Sequence, residues 1–90
     1  MIEPVRNAGE VLHVIHQTLS PYLGKLMAST AAVAHCRDLG ISGTLMEQPQ
    51  VDQLLEKLSL GLVIFLGKEK STLVVAAMRR EISVLREVTH

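Results

Sequence analysis

Apolar residues recur at intervals of three and four positions along most of the chain, which is the period of α-helices that bury one face. In the first helix this inward set is Val5, Ala8, Leu12, Ile15 and Leu19. Polar side chains such as Arg6, Glu10 and Gln17 follow the same period on the opposite side, as a surface facing water requires. Since proline is tolerated in the first turn of a helix, we place the start of this helix at Pro4.

A second helix is predicted between Pro21 and Gly40. Ser20 is a suitable N-cap, proline suits the first helical position, and glycine adopts the left-handed conformation that ends many helices. The inward set by spacing is Leu23, Leu26, Met27, Thr30, Val33 and Ala34. Small residues on a second side, including Ala28 and Ala31, predict that another helix approaches closely there.

A third helix is predicted to begin at Pro49 and to end at Gly67, after a loop over residues 42–48. Its inward set is Val51, Leu54, Leu55, Leu58, Leu62, Phe65 and Leu66. β-Branched residues leave a strand over residues 62–66 as the alternative. We favour a helix there because the apolar spacing continues through this segment without a break.

A fourth helix is predicted after Ser71, whose side chain is a suitable cap. Its inward set is Val74, Val75, Met78, Ile82 and Leu85. Four helices of similar length with short connections predict an all-α fold, either a four-helix antiparallel bundle or paired helical hairpins. The sequence contains no linker and no evident internal repeat, so we expect residues 1–90 to form a single helical domain.

The chain carries more apolar side chains than a four-helix monomer of this size covers. Apolar residues make up 48% of the sequence, and the mean hydropathy is +0.29. Outward-facing lines of the last two helices contain Leu60, Ile64, Leu73, Val84 and Val88. We expect these residues to form the interface of a homodimer that completes the fold. The alternative is that steeply crossing first and second helices cover them within one chain.

Charge and cysteine content restrict the classes of partner and the compartment. Nine basic and nine acidic residues balance, so we expect neither nucleic acid nor a membrane as a partner. The single cysteine, Cys36, forms no internal disulfide, and residues 1–9 lack the apolar core of a signal peptide, which together favour the cytoplasm. The longest apolar run, residues 58–66, is far shorter than the about 20 residues that span a bilayer.

Candidate catalytic and metal-binding residues are few and poorly spaced. His13 and His16 are three positions apart on a helix, which suits two ligands of one metal ion, but a durable site needs a third or fourth ligand. His35 and Cys36 are adjacent, so on a helix they point about 100° apart and do not form a nucleophile and base pair. We therefore predict no enzyme activity and no cofactor, with His13 and His16 as weak metal candidates.

The sequence favours a small helical protein–protein interaction module, a homo-oligomeric adaptor or regulatory subunit acting through the apolar residues of the last two helices. A helical protein target is the second kind of partner that this surface suits. The alternative function is binding of a small apolar ligand in the bundle interior, because a core of Leu, Val and Met with few aromatic residues favours a cavity. Met27, Met46 and Met78 are the predicted lining residues of that site.

Overall fold

The computed structural model describes residues 4–41 and 43–88 of the chain. Helices make up most of this part, which agrees with the predicted all-α class in its main feature, but a short two-stranded sheet is also present. In chain order the elements are β1 (Val5–Asn7), α1 (Ala8–Leu23), α2 (Lys25–Asp38), β2 (Leu45–Glu47), α3 (Gln48–Leu66) and α4 (Lys68–Ser83).

Each strand leads directly into a helix whose first turn is held by a local hydrogen bond. At α1, the Asn7 side chain accepts a hydrogen bond from the backbone N–H of Glu10 at 3.1 Å. At α3, the backbone N–H of Glu47 donates to Oε1 of Gln50 at 2.8 Å. These bonds satisfy backbone groups that have no partner within a helix. The first helix begins at its Asn7 cap, so the predicted start at Pro4 is wrong.

The turn between the first two helices lies at Gly24, so the predicted boundary at Ser20 and Pro21 is wrong. α1 continues through Pro21, whose ring removes one N–H donor without ending the helix. The chain reverses only where φ reaches +84° at Gly24, a conformation that residues with a side chain rarely adopt. Gly67 has φ of +82° between α3 and α4. The predicted end of the third helix at this glycine is confirmed.

The third helix follows the prediction closely in its bounds, but Phe65, predicted to point inward, is 61% exposed. α3 begins next to Pro49, and residues 62–66 are helical, so the strand alternative is wrong. α4 begins at Lys68, earlier than predicted, because Gly67 both ends α3 and serves as the N-cap of α4. Ser71 therefore lies buried within α4, where its hydroxyl donates to the backbone carbonyl of Ser59 at 3.4 Å.

α2 buries small side chains and exposes large ones. The buried residues are Ala28, Ala32 and Cys36. Leu26 is 83% exposed, and about half of Val33 is exposed. The predicted inward set of the second helix is therefore wrong in its large members. α2 packs along α1, and helices that pack closely require small side chains where they meet.

The same order of elements occurs twice: a three-residue strand, a helix, a glycine with positive φ, and a second helix. Residues 19–25 are Leu-Ser-Pro-Tyr-Leu-Gly-Lys, and residues 62–68 are Leu-Val-Ile-Phe-Leu-Gly-Lys. The two segments share a leucine, an aromatic residue and Leu-Gly-Lys at matching positions around the two turns. The expectation of no internal repeat is therefore wrong.

The two strands pair antiparallel, with Arg6 opposite Met46 at their centre. Glu87 forms an isolated antiparallel bridge with Arg6, and the N–H of Val88 donates to the carbonyl of Val5 at 2.6 Å. β2 lies in the region predicted to be a loop, because three residues are too few to show a period. The sheet joins the starts of α1 and α3 to the segment that follows α4.

The hydrophobic core lies between the helices and against the sheet. α1 contacts α2 and α4, and α3 contacts α4 and α2. Buried apolar side chains come from every helix and from β2, among them Val11, Ile15, Leu19, Ala28, Met46, Leu54, Leu55, Leu62, Met78 and Ile82. Since α1 and α3 lead away from the sheet, Gly24 and Gly67 lie at the opposite end of an elongated molecule of 39 × 22 × 18 Å.

Candidate interaction surfaces and cavity

Four of the five predicted interface residues are strongly exposed. Leu60, Ile64, Leu73 and Val84 have exposed fractions of 69%, 83%, 71% and 75%. No described segment of the same chain covers them, so the alternative in which the first and second helices bury them is wrong. Their contact with a partner stays a prediction.

These four side chains lie on the outward faces of α3 and α4 and at the residue that caps the end of α4. Leu60 and Ile64 are about one turn apart on α3; Leu73 lies on α4, and its C-cap Val84 follows about three turns later. Ala77 is exposed on the same side of α4 between the latter two. Its small side chain leaves room for a partner helix to approach closely.

The outer junction of α3 and α4 changes character along its length. Nearer the glycine turn, Val63 of α3 and Thr72 and Ala76 of α4 are exposed and uncharged. Nearer the sheet, Arg79 pairs with Asp52 at an N–O distance of 2.6 Å. Both partners are about half exposed, so the pair orients the two helices and adds little stability.

Val88 differs from the other predicted interface residues. α4 ends at Ser83, and Val88 lies partly buried beside β1. Its assignment to the outward line of the fourth helix is therefore wrong, because the chain has already left the helix. Its contact with a partner stays a prediction.

A cavity of about 140 Å³ lies between α1, α2 and α3 near the glycine turns. Its larger apolar lining residues are Leu19, Leu23, Met27, Leu58, Leu62 and Phe65. Ala31 and Gly61 complete the apolar wall and leave the space open, since neither has a large side chain. An apolar cavity of about 150 Å³ is large enough for one aromatic ring.

His35 is the polar lining residue of this cavity. Its Nδ1 is buried and has no hydrogen-bond partner among the described residues. A buried nitrogen without a partner costs free energy, which a ligand with a matching group would recover. Sequence reasoning excluded His35 only as a catalytic partner of Cys36 and did not place it in a ligand site. The signal that could have located it is the spacing of four between Met27, Ala31 and His35 on α2.

The three methionines predicted to line a ligand site are separated in the structure. Met27 lines the cavity beside His35. Met46 lines a more open cleft of about 440 Å³, together with Cys36, and Met78 is fully buried. The described residues therefore form no common methionine-lined site.

Arg6 is buried, although its helical spacing with Glu10 and Gln17 predicted a surface facing water. It is 5% exposed, and its Nη1 donates to Oε1 of Gln48 at 2.7 Å. Its Nη2 donates to the carbonyl of Ser83 at 3.4 Å, at the negative end of α4. Gln48 donates in turn to Oδ1 of Asp52 at 3.1 Å. Arg6 therefore connects β1, α3 and α4, which is a structural role that helical periodicity did not predict.

The remaining candidate residues form no site for metal binding or nucleophilic catalysis in the described structure. His13 is exposed on α1 and His16 is partly exposed. The described ranges contain no group of three His, Cys, Asp or Glu side chains placed to hold a metal ion. Burial raises the pKa of the Cys36 thiol, so the thiolate is disfavoured at neutral pH. Cys36 and His35 line different spaces and do not act as a pair.

No protein family, curated protein or solved structure matches this chain. None of the described helices combines the length and the apolar character needed to cross a membrane. The chain's function must therefore be argued from its own surfaces. Two features suit binding: the outward apolar residues of α3 and α4, and the cavity beside His35.

Proposed function

We propose that this protein is a small helical interaction module that forms a homodimer through the outward faces of α3 and α4. The observation that supports the proposal is the exposure of Leu60, Ile64, Leu73 and Val84, each at least two thirds exposed. Large apolar side chains this exposed on two neighbouring helices are typical of binding surfaces. Burying one such side chain contributes about 1.5–3 kcal/mol, before the entropic cost of association is subtracted.

The contacts between helices support a protomer in which the four helices form a closed ring. Each helix contacts two others, in the ring order α1, α2, α3, α4 and back to α1. We propose that this ring is a four-helix antiparallel bundle, in which a second copy covers the outer faces of α3 and α4. A two-fold axis makes such an apolar surface complementary to itself. A module of this kind acts as a homo-oligomeric adaptor or regulatory subunit, and a helical target competes for the same surface.

The test is the solution mass by light scattering after size-exclusion chromatography. We expect the wild type to be a dimer and the Leu60→Glu, Ile64→Glu double variant to be a monomer with unchanged far-ultraviolet circular dichroism. The matched control is Gln17→Glu, Ser29→Glu, which adds the same charge at exposed polar positions of α1 and α2, away from the proposed interface. A monomeric wild type, or equal dissociation of the control, would contradict the proposal.

A second function is favoured by the cavity beside His35. We propose that it binds a ligand with a single aromatic ring and one hydroxyl group. The supporting observations are its volume of about 140 Å³ and the buried Nδ1 of His35 that lacks a partner. The ring would fill the apolar space, and the hydroxyl would donate to Nδ1 once the His35 ring rotates to turn this buried nitrogen toward the cavity. One neutral hydrogen bond contributes about 0.5–1.5 kcal/mol, so phenol should bind several-fold more tightly than benzene.

Phenol and benzene provide a matched pair of probes for the cavity. Thermal shift and ligand-observed NMR should detect both compounds, with phenol the stronger ligand. His35→Phe keeps a ring of similar size and removes the nitrogen, so this variant should lose the preference for phenol. If neither compound binds the wild type, or if His35→Phe keeps the preference, the ligand-binding proposal is wrong.

A further inference from the structure

The two glycine turns lie side by side and form one end of the molecule. We name residues 21–27 and 64–70 the hairpin end. Nζ of Lys70 lies 5.6 Å from the centre of the Tyr22 ring, which connects the second turn to the first. Leu23 and Phe65 line the same cavity, which connects the turns a second time. The hairpin end is therefore a continuous surface at the opposite pole from the sheet.

This surface is rich in exposed apolar side chains. Outside the proposed dimer surface it contains four residues with exposed fractions from 44% to 83%, namely Tyr22, Leu26, Met27 and Phe65. The chain has one tyrosine, one phenylalanine and no tryptophan, so all of its aromatic residues lie here. Both occupy the same position of the repeated motif, two residues before the glycine.

The hairpin end is also cationic, although the whole chain is neutral. Lys25, Lys68 and Lys70 lie in it together with one acid, Glu69, so its formal charge is three minus one, or +2. The whole chain has a formal charge of +0, so the remaining residues sum to −2. The expectation of no membrane partner rested on the zero net charge of the whole chain. That sum conceals the positive charge of the hairpin end and the negative charge of the remaining residues.

We propose that the hairpin end docks on the surface of an anionic lipid bilayer. Exposed leucine, methionine and aromatic side chains partition into the interfacial region, while lysines keep their ammonium groups among the headgroups. Like charge disfavours a second copy as the occupant, because two hairpin ends would face each other at +2 each. The surface also projects from the narrow end of an elongated molecule, which suits a flat partner better than a helix that needs a groove.

The experiment uses vesicles of equal parts phosphatidylglycerol and phosphatidylcholine, compared with pure phosphatidylcholine. Because the chain has no tryptophan, Phe65→Trp provides a single reporter at the hairpin end. We expect its emission to shift to shorter wavelength with the anionic vesicles only. Leu45→Trp, in the sheet at the other pole, should show no shift and is the matched reporter.

Two pairs of variants separate the contributions of charge and of apolar contact to vesicle binding. Binding of each variant is measured by co-sedimentation with vesicles. Replacing Lys25, Lys68 and Lys70 by Gln should weaken binding strongly, since each lysine near an anionic surface contributes roughly fivefold. The charge-matched control replaces Arg37, Arg80 and Arg86 by Gln, which are exposed and distant from both turns. Leu26→Gln with Tyr22→Gln should weaken binding further than Leu45→Gln with Val33→Gln, two exposed positions outside the hairpin end and outside the dimer surface.

Two outcomes would overturn the proposal. One is the absence of binding to the anionic vesicles by folded wild type, which would leave an acidic protein surface as the occupant to consider. The other is an equal loss of binding in the arginine and lysine triple variants, which would indicate attraction without a defined surface. None of the vesicle variants changes Leu60 or Ile64, so failure here is distinguishable from failure of the dimer proposal.

Discussion

Replacing Gly61 by alanine should stabilise the protein, because nothing in the structure requires a glycine at this position. It lies within α3, and a Cβ atom built there meets no other atom within 4 Å. Alanine is favoured over glycine in a helix interior by about 1 kcal/mol. The added methyl group faces open space at the wall of the cavity, so it adds neither a clash nor a packing contact. We expect the free energy of unfolding to rise by about 1 kcal/mol.

Urea unfolding followed by circular dichroism, at one protein concentration throughout, measures this difference. The matched controls are Gly24→Ala and Gly67→Ala, where an added Cβ also meets nothing within 4 Å. Their φ and ψ angles, +84° and 156° at Gly24 and +82° and 167° at Gly67, lie in a region almost exclusive to glycine, so both should lower the free energy of unfolding by about 1–3 kcal/mol. A neutral or destabilising Gly61→Ala, or three glycines that respond alike, would refute the reasoning.

Three further predictions concern buried positions. Arg6→Ala should lower the free energy of unfolding by about 1–3 kcal/mol, because it removes two hydrogen bonds and empties a buried space, whereas exposed Arg86→Ala should change it little. Cys36 should react with a thiol reagent far more slowly in the native than in the urea-unfolded protein, because burial shields it and raises its pKa. The same raised pKa means that the protonated Cys36 thiol contributes its full stabilisation at neutral pH. This contribution to the free energy of unfolding falls as the pH rises through the pKa values of the unfolded and folded thiol. Ala28→Leu should destabilise by about 1–3 kcal/mol in equilibrium unfolding, whereas Leu26→Ala should be nearly neutral.

The parts of the fold that were predictable are those where one strong pattern determines the local structure. Pro49, Gly67 and the unbroken apolar period between them predicted α3 nearly to the residue. The same period predicted that Leu60 and Ile64 point away from the core, because α3 is long enough for the helical angle to be unambiguous.

The parts that were not predictable depend on contacts distant in sequence. The alanines that α2 buries against α1 are less apolar than the leucine that it exposes. Apolar periodicity therefore predicted that the larger side chains of α2 would form the core. The short sheet that buries Arg6 has no period to detect. The cavity beside His35 needs three helices to form, and only the α2 line of its wall is visible in sequence.

The direction of the dimer axis decides how many hairpin ends meet one bilayer. If protomers joined through α3 and α4 are related by an axis parallel to the helices, both hairpin ends lie at the same pole. Two contacts with one membrane then act together, and the second is effectively intramolecular. If the axis is perpendicular to the helices, the hairpin ends lie at opposite poles, and one dimer can bridge two bilayers.

Vesicle clustering distinguishes these two arrangements. We favour the parallel axis, because it lets both cationic ends share one anionic surface, and we expect wild type to bind vesicles without raising their turbidity. The Leu73→Glu, Val84→Glu variant, which opposes dimerisation and leaves the hairpin end unchanged, should then bind at least tenfold more weakly, beyond the roughly fivefold that the charge added at position 73, one turn from Lys70, would explain. Turbidity that rises with wild type and disappears with this variant would establish the perpendicular axis instead. In that arrangement the dimer would link two membrane surfaces, because each pole of the dimer would carry one lysine-flanked apolar end.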